Sequence, residues 1–307
     1  MTIENDFLAF AAAEGANVLD QADYASNPAL GPGVTSGIAS SALSNKTWRQ
    51  SSIIASVIAQ FITAQTGLPA IDDGTTATLL ANFIEAIKLT APGRLLNVQT
   101  FTASGTYTPT AGTNSVIVEV IGGGGGGGGS ANTGASQISI GGGGAGGGYA
   151  RKRLLTGFSG AAVIVGAAGG GGTQTAAGTA GGTSSFGGSL SATGGAGAIT
   201  GPAEANTYQG FYGQAFGGAG SGGDINAQGG SGQYAIYING NGVSGQGGSS
   251  QYSAGATWRN TSANGVSANS TNSYGAGGGG GFQGSSSAGG ALGGSGAPGV
   301  VIVWEYS

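Results

Sequence analysis

Ser115-Val116-Ile117-Val118-Glu119-Val120-Ile121 runs directly into eight consecutive glycines at 122–129. The first half reads as a β-strand, with β-branched residues on both faces and therefore burial on both. The second half is the opposite kind of sequence. Glycine loses more backbone entropy on ordering than any other residue, so an isolated run should stay disordered. Further runs occur at 141–148, broken once by Ala145, at 169–172 and at 277–281. Something collective must fix them. The expectation is a set of polyproline-II-type glycine helices, three residues per turn and without internal hydrogen bonds. Packed side by side, they would supply one another's N–H donors and C=O acceptors. Only a residue without a side chain lets backbones approach that closely, with weak Cα–H to O contacts as a second-order term.

Outward from this junction, strand signals alternate with glycine through the rest of the chain. Strands are predicted over 98–102, 115–121, 149–155, 161–165, 183–186 with 189–192, 233–238 and 300–306. The last, Val300-Val301-Ile302-Val303-Trp304, is as continuously apolar as the first. A small β-sandwich closed by the chain's own C-terminus is expected, so truncating that end should unfold it.

The glycines also mark a boundary. Of 71 in 307 residues, only seven lie in the first hundred. Collagen is excluded, because the runs are consecutive rather than every third residue and prolines number seven. Hydrophobic strands and many aromatics argue against a disordered linker. Three parts are expected: an extended arm or hook over 1–40, a helical oligomerisation region over 41–96 and a glycine-rich β-sandwich domain over 97–307. The fold class is α+β, mainly β.

In the first part, Asn27-Pro28-Ala29-Leu30-Gly31-Pro32-Gly33 cannot be helical throughout. Ile53, Ile54, Val57, Ile58, Phe61 and Ile62 have the spacing of one helical face, which predicts a helix over 44–66, closed by Gly67 and Pro69. The Asp72-Asp73-Gly74 turn opens a second over 75–88, with Leu79, Leu80, Phe83, Ile84 and Ile87 on one side. Two short helices cannot bury both faces well, so they are expected to pack together and against copies of themselves. A monomeric helical hairpin is the alternative.

Composition excludes much chemistry. With no histidine and no cysteine, the chain holds no Ser-His-Asp triad, Cys-His pair, histidine metal site or disulfide. Matches to G-x-G-x-x-G are expected by chance at this glycine content, and no Gly-Lys-Ser/Thr ending follows them. No cofactor is expected and the chain is read as no enzyme. The net charge is −4, and the one basic cluster, Arg151-Lys152-Arg153, reads as a solvated strand end. Binding to nucleic acid or to an anionic membrane surface is therefore not expected. The start, MTIENDFLAF, has no basic n-region of a secretion signal, and no apolar run reaches membrane-spanning length.

Recognition is the chemistry that remains. Tyr208, Phe211, Tyr212, Phe216, Tyr234, Tyr237, Tyr252, Trp258, Tyr274 and Phe282 fall where the glycine runs are interrupted by Asn, Gln, Ser and Thr. Loops rich in Tyr, Ser, Gly and Asn on a rigid scaffold have the chemistry of binding surfaces. The same rings could equally fill gaps between glycine helices. A glycan depolymerase would need two facing carboxyl groups, for which Glu204 and Asp224 are the pair to weigh.

Two segments carry a family likeness. Asp23-Tyr24, Gly33-Val34-Thr35-Ser36-Gly37-Ile38-Ala39, Asn45-Lys46-Thr47-Trp48-Arg49-Gln50-Ser51-Ser52-Ile53-Ile54-Ala55 and Gln60-Phe61-Ile62 resemble the N-terminal region of tail-fibre proteins of siphophages and prophages of proteobacteria. Phe101-Thr102-Ala103-Ser104-Gly105-Thr106-Tyr107-Thr108-Pro109, the 116–125 segment and Gly299-Val300-Val301-Ile302-Val303-Trp304-Glu305-Tyr306 are similar to the glycine-rich C-terminal domain of such fibres. The resemblance implies a homotrimeric virion component made in the host cytoplasm. Its N-terminal part would dock to a tail-tip or baseplate protein, and its C-terminal domain would bind a host surface receptor: a pilus, lipopolysaccharide or an outer-membrane protein. A structural tail component, a depolymerase and a cellular glycine-rich wall protein or bacterial adhesin remain the other readings.

Overall fold

In a computed structural model, which describes residues 3–33, 36–90, 93–265 and 273–307, the chain divides into two units, Met1–Pro92 and Gly93–Ser307. Small parts of the expected arm (1–2 and 34–35) and of the aromatic loop region (266–272) lie outside the described residues.

The first unit is helical where side-chain caps allow it. Asp20 accepts the Asp23 amide and opens a short helix, α1 (Gln21–Ala25). Ser40 caps α2 (Ser41–Thr66), three residues ahead of the predicted start, and Gly67 ends it at φ +68°. The second predicted helix is α3 (Ala77–Thr90), packed on α2 through an edge-to-face Phe61–Phe83 pair at 6.2 Å. The arm is not extended throughout: besides α1, it folds back so that the Asp6 amide donates to Ala70 O and the Ala70 amide to Glu4 O.

The second unit is mainly β. In chain order its strands are β1 (Leu95–Phe101), β2 (Gly105–Thr106), β3 (Ser115–Ile121), β4 (Gln137–Ile140), β5 (Tyr149–Leu154) and β6 (Ala162–Ile164). They continue with β7 (Ser184–Phe186), β8 (Leu190–Ala192), β9 (Glu204–Ala205), β10 (Gln209–Tyr212) and β11 (Gly220–Ser221). Last come β12 (Ile225–Ala227), β13 (Ala235–Ile238), β14 (Asn241–Val243), β15 (Phe282–Gln283) and β16 (Val300–Tyr306). Two five-stranded antiparallel sheets, β1-β16-β3-β5-β12 and β11-β8-β7-β6-β2, enclose one core. Val116, Val118, Val120, Val301 and Val303 of the first sheet meet Val163, Phe186, Leu190 and Ala192 of the second. The C-terminal strand lies between β1 and β3, pairing along its length with both.

The opposite face of the first sheet is less covered than the apolar runs suggest. Ile117, Ile302, Trp304 and Tyr306 are only half-buried there, so burial on two faces holds for part of each strand. Arg151 also departs from a purely solvated cluster, since its Nε lies 3.6 Å from Oε1 of the buried Glu119.

The glycine runs are ordered by one another. The amides of Gly122, Gly125 and Gly128 donate to Gly148, Ala145 and Gly142; those of Gly123 and Gly126 to Gly182 and Thr179; those of Gly124, Gly127 and Ser130 to Ala297, Gly294 and Ala291. Each register steps by three and runs antiparallel. The carbonyls repeat the pattern with parallel neighbours: Gly123, Gly126 and Gly129 accept from Gly195, Ala198 and Gly201, Gly124 and Gly127 from Gly169 and Gly172, and Gly125 and Gly128 from Gly278 and Gly281. The 122–129 run is thus ringed by other backbone on every side and wholly buried. The 141–148 run is a second such hub, its amides reaching the 275–281, 230–233 and 193–196 segments.

This packing dictates where glycine is compulsory. A Cβ placed on Gly124, Gly125 or Gly126 would sit 1.9, 2.1 or 1.9 Å from the carbonyl oxygens of Ala276, Ala196 and Gly170 respectively, three different neighbours for three successive residues. In the outer segments only every third residue turns inward: Gly166, Gly169 and Gly172 are buried, as are Ala192, Gly195, Ala198 and Gly201. Of the positions between them, Ala167, Ala168, Thr193, Ala196, Ile199 and Thr200 carry side chains and Gly170 has room for one, whereas a Cβ on Gly171, Gly194 or Gly197 would run into the carbonyl oxygens of Gly293, Gly181 and Gly178.

Candidate functional site

The loops of 199–282 are anchored on this frame, and strand parity sorts their aromatics. In the sheet β10-β13-β14, Phe211 pairs with Ile236 and Tyr212 with Ala235. Ala235 and Tyr237 point inward with Tyr212, against Ile138, Ile140 and Phe282. Phe211, Tyr234 and Ile236 share the outward face.

The ten aromatics named from sequence therefore separate into three groups. Tyr237 (1% exposed) and Phe282 (4%) are core residues. The Tyr237 hydroxyl accepts the Ile140 amide at 2.8 Å and donates to Ile140 O at 2.9 Å, and burial pushes its ionisation well above the ordinary range. Tyr208, Tyr212 and Tyr274 are half-buried, Tyr208 standing edge-on to Tyr237 at 5.4 Å and Tyr274 packed beside Ile121 and Val300. Phe211, Phe216, Tyr234, Tyr252 and Trp258 are exposed, Phe211 by 67% and Phe216 by 66%.

Two of the exposed rings meet. Phe211 and Tyr234 lie 5.9 Å apart at 57° and flank an open groove of about 260 Å³, lined also by Gln214, Ser231, Gln233 and Ile236. The Tyr234 hydroxyl donates to Gln214 Oε1 at 2.7 Å. A second groove, of about 220 Å³, shares Ser231 and Gln233 and continues among glycines 247, 248 and 255. Sequence reasoning found the rings and the Asn- and Gln-bearing stretches around them, but did not single out Gln214 and Gln233. The signal was the period of two in Tyr234-Ala235-Ile236-Tyr237, which also separates the outward Tyr234 from the inward Tyr237.

The carboxylate pair weighed for catalysis is engaged separately. Asp224 Oδ2 accepts the Arg153 amide at 2.9 Å, whereas Glu204 lies in β9, opposite Ile138 of β4. Among the described residues no group of acidic side chains is placed to hold a metal ion, and no helix is long and apolar enough to cross a membrane.

No curated protein matches the chain in sequence. Residues 99–306 match a family model described as a glycine-rich domain, spanning the β-sandwich, both glycine hubs and the aromatic grooves, and the chain belongs to that family.

Proposed function

We propose that this chain is a receptor-binding subunit of a phage tail fibre, attaching the virion to a host bacterial surface. In this reading the glycine runs are polyglycine-II-type helices, whose three residues per turn account for hydrogen-bond registers and burial that both step by three. Such a bundle is a rigid platform, because each backbone is fixed by its neighbours rather than by its own turns. The N-terminal helices serve as the trimerisation region, and the arm before them as the attachment to the tail.

The observation that carries the proposal is the exposure of Phe211, Phe216, Tyr234, Tyr252 and Trp258 on segments held by buried backbone. Large rings left in water cost free energy that a partner recovers on binding, and rigid display lowers the entropy of doing so. The purified chain is expected to compete with phage for adsorption to host cells. A variant with the five rings replaced by alanine, matching the parent's circular dichroism, should compete poorly; equal competition by both, or none by the parent at saturation, overturns the proposal.

A further inference from the structure

The groove between Phe211 and Tyr234 has a chemistry that narrows what it can take. None of its lining side chains is charged, so it offers no counter-ion to a phosphate, carboxylate or ammonium group. What it offers is two exposed rings inclined at 57°, with amide and hydroxyl side chains in the same lining. The bond from the Tyr234 hydroxyl occupies Gln214 Oε1 and orients that amide, leaving its two N–H donors for a ligand. The Gln233 amide and Ser231 hydroxyl are exposed and make no side-chain hydrogen bond among the described residues. Its volume, about 260 Å³, falls just short of the roughly 300–1,000 Å³ of pockets for drug-sized ligands.

We propose that this groove binds a neutral glycan, one or two sugar rings at a time. A sugar ring presents an apolar C–H face suited to Phe211 or Tyr234, and hydroxyls at its rim that both donate and accept, as the Gln233, Gln214 and Ser231 side chains require. The adjoining groove, which shares Ser231 and Gln233 and has glycine walls, gives a polysaccharide room to run on past the aromatic pair. The assignment rests on the receptor-binding reading and specifies the receptor as surface carbohydrate rather than a protein loop.

The test uses the full chain, fluorescently labelled, on a bacterial strain that binds it. Cells are used intact, after mild periodate oxidation of their sugars, or after protease shaving. Periodate should abolish binding and protease should spare it. Phe211→Ala and Gln233→Ala, both at exposed positions, should each weaken binding to intact cells, the phenylalanine change by at least about tenfold. Binding that survives periodate and is lost to protease overturns the glycan while leaving receptor binding intact. Periodate sensitivity with parental binding by both variants places the glycan elsewhere and also overturns the assignment. Failure of the chain to bind any host cell removes the receptor reading itself.

Discussion

Gly169 and Gly170 are adjacent in one run but differ in the space around them. A Cβ on Gly169 would stand 2.3 Å from Thr179 O and 2.7 Å from the Gly126 amide nitrogen, whereas on Gly170 it would meet only Thr179 Oγ1 at 3.6 Å. Gly169→Ala should therefore destabilise by about 1–3 kcal/mol or more, since backbone must move to admit it. Gly170→Ala should be neutral or stabilising by about 0.4–1 kcal/mol, through the unfolded chain's lost freedom. Denaturant melts of the two variants check this; similar losses at both positions would refute the registers in steps of three. The two buried glutamates differ in the same specific way. Burial pushes Glu119 above its ordinary range, Arg151 offsetting this only in part. Burial acts on Glu305 too, but hydrogen bonds from Thr110, Tyr107 and Gln99 outweigh it and hold that carboxyl below its ordinary range. Charged Glu119 thus weakens the fold at neutral pH, a penalty lost as pH falls through its raised value. Glu305 strengthens the fold above its ordinary value, a gain lost as pH falls through its lowered one. Glu119→Gln should raise the melting temperature at about pH 7 and Glu305→Gln should lower it; the first difference should fade as pH falls toward the ordinary glutamate value of 4.5, the second should persist there and fade only below it. A fall in both at neutral pH would show that Glu119 is net stabilising as an ion pair.

At the level of elements, β16 is the strand on which the first sheet depends. It hydrogen-bonds to β1 on one side and β3 on the other, and carries Val301 and Val303 into the shared core. Deleting residues 300–307 removes an interior strand, splits the sheet and bares two edges, so the 93–307 unit should lose its cooperative thermal transition and enter the insoluble fraction. A truncated chain that melts like the parent would contradict this order of strands. The long apolar strands were legible because Val and Ile mark them: the 115–121 and 300–306 strands fall where their composition puts them. Short ones such as β4, β9 and β15 were not, because two to four residues between glycines carry too little pattern, and pairing across the chain decides them. The same limit applied to the aromatics. Composition located the ring-rich loops, but only strand parity and the partner Ile140 put Tyr237 inside and left Tyr234 out.

For the whole molecule, the helical hairpin leaves much of its apolar surface open. Of the apolar faces read from the sequence, Ile62 is buried, yet Ile54, Val57, Ile58, Leu80, Ile84 and Ile87 remain exposed, Ile54 by 62% and Leu80 by 56%. Exposed apolar side chains on both helices are what the proposed trimerisation region would cover. In the proposed trimer, three tethered copies of the binding domain would give a multivalent attachment. Light scattering of the intact chain should accordingly give three times the chain mass. Val57→Glu and Ile84→Glu, at exposed positions that leave the Phe61–Phe83 contact in place, should shift it to monomer without loss of circular dichroism. A parent that runs as a monomer at high concentration would break the link between the helical unit and a fibre, and with it the case for avidity at the glycine-rich end.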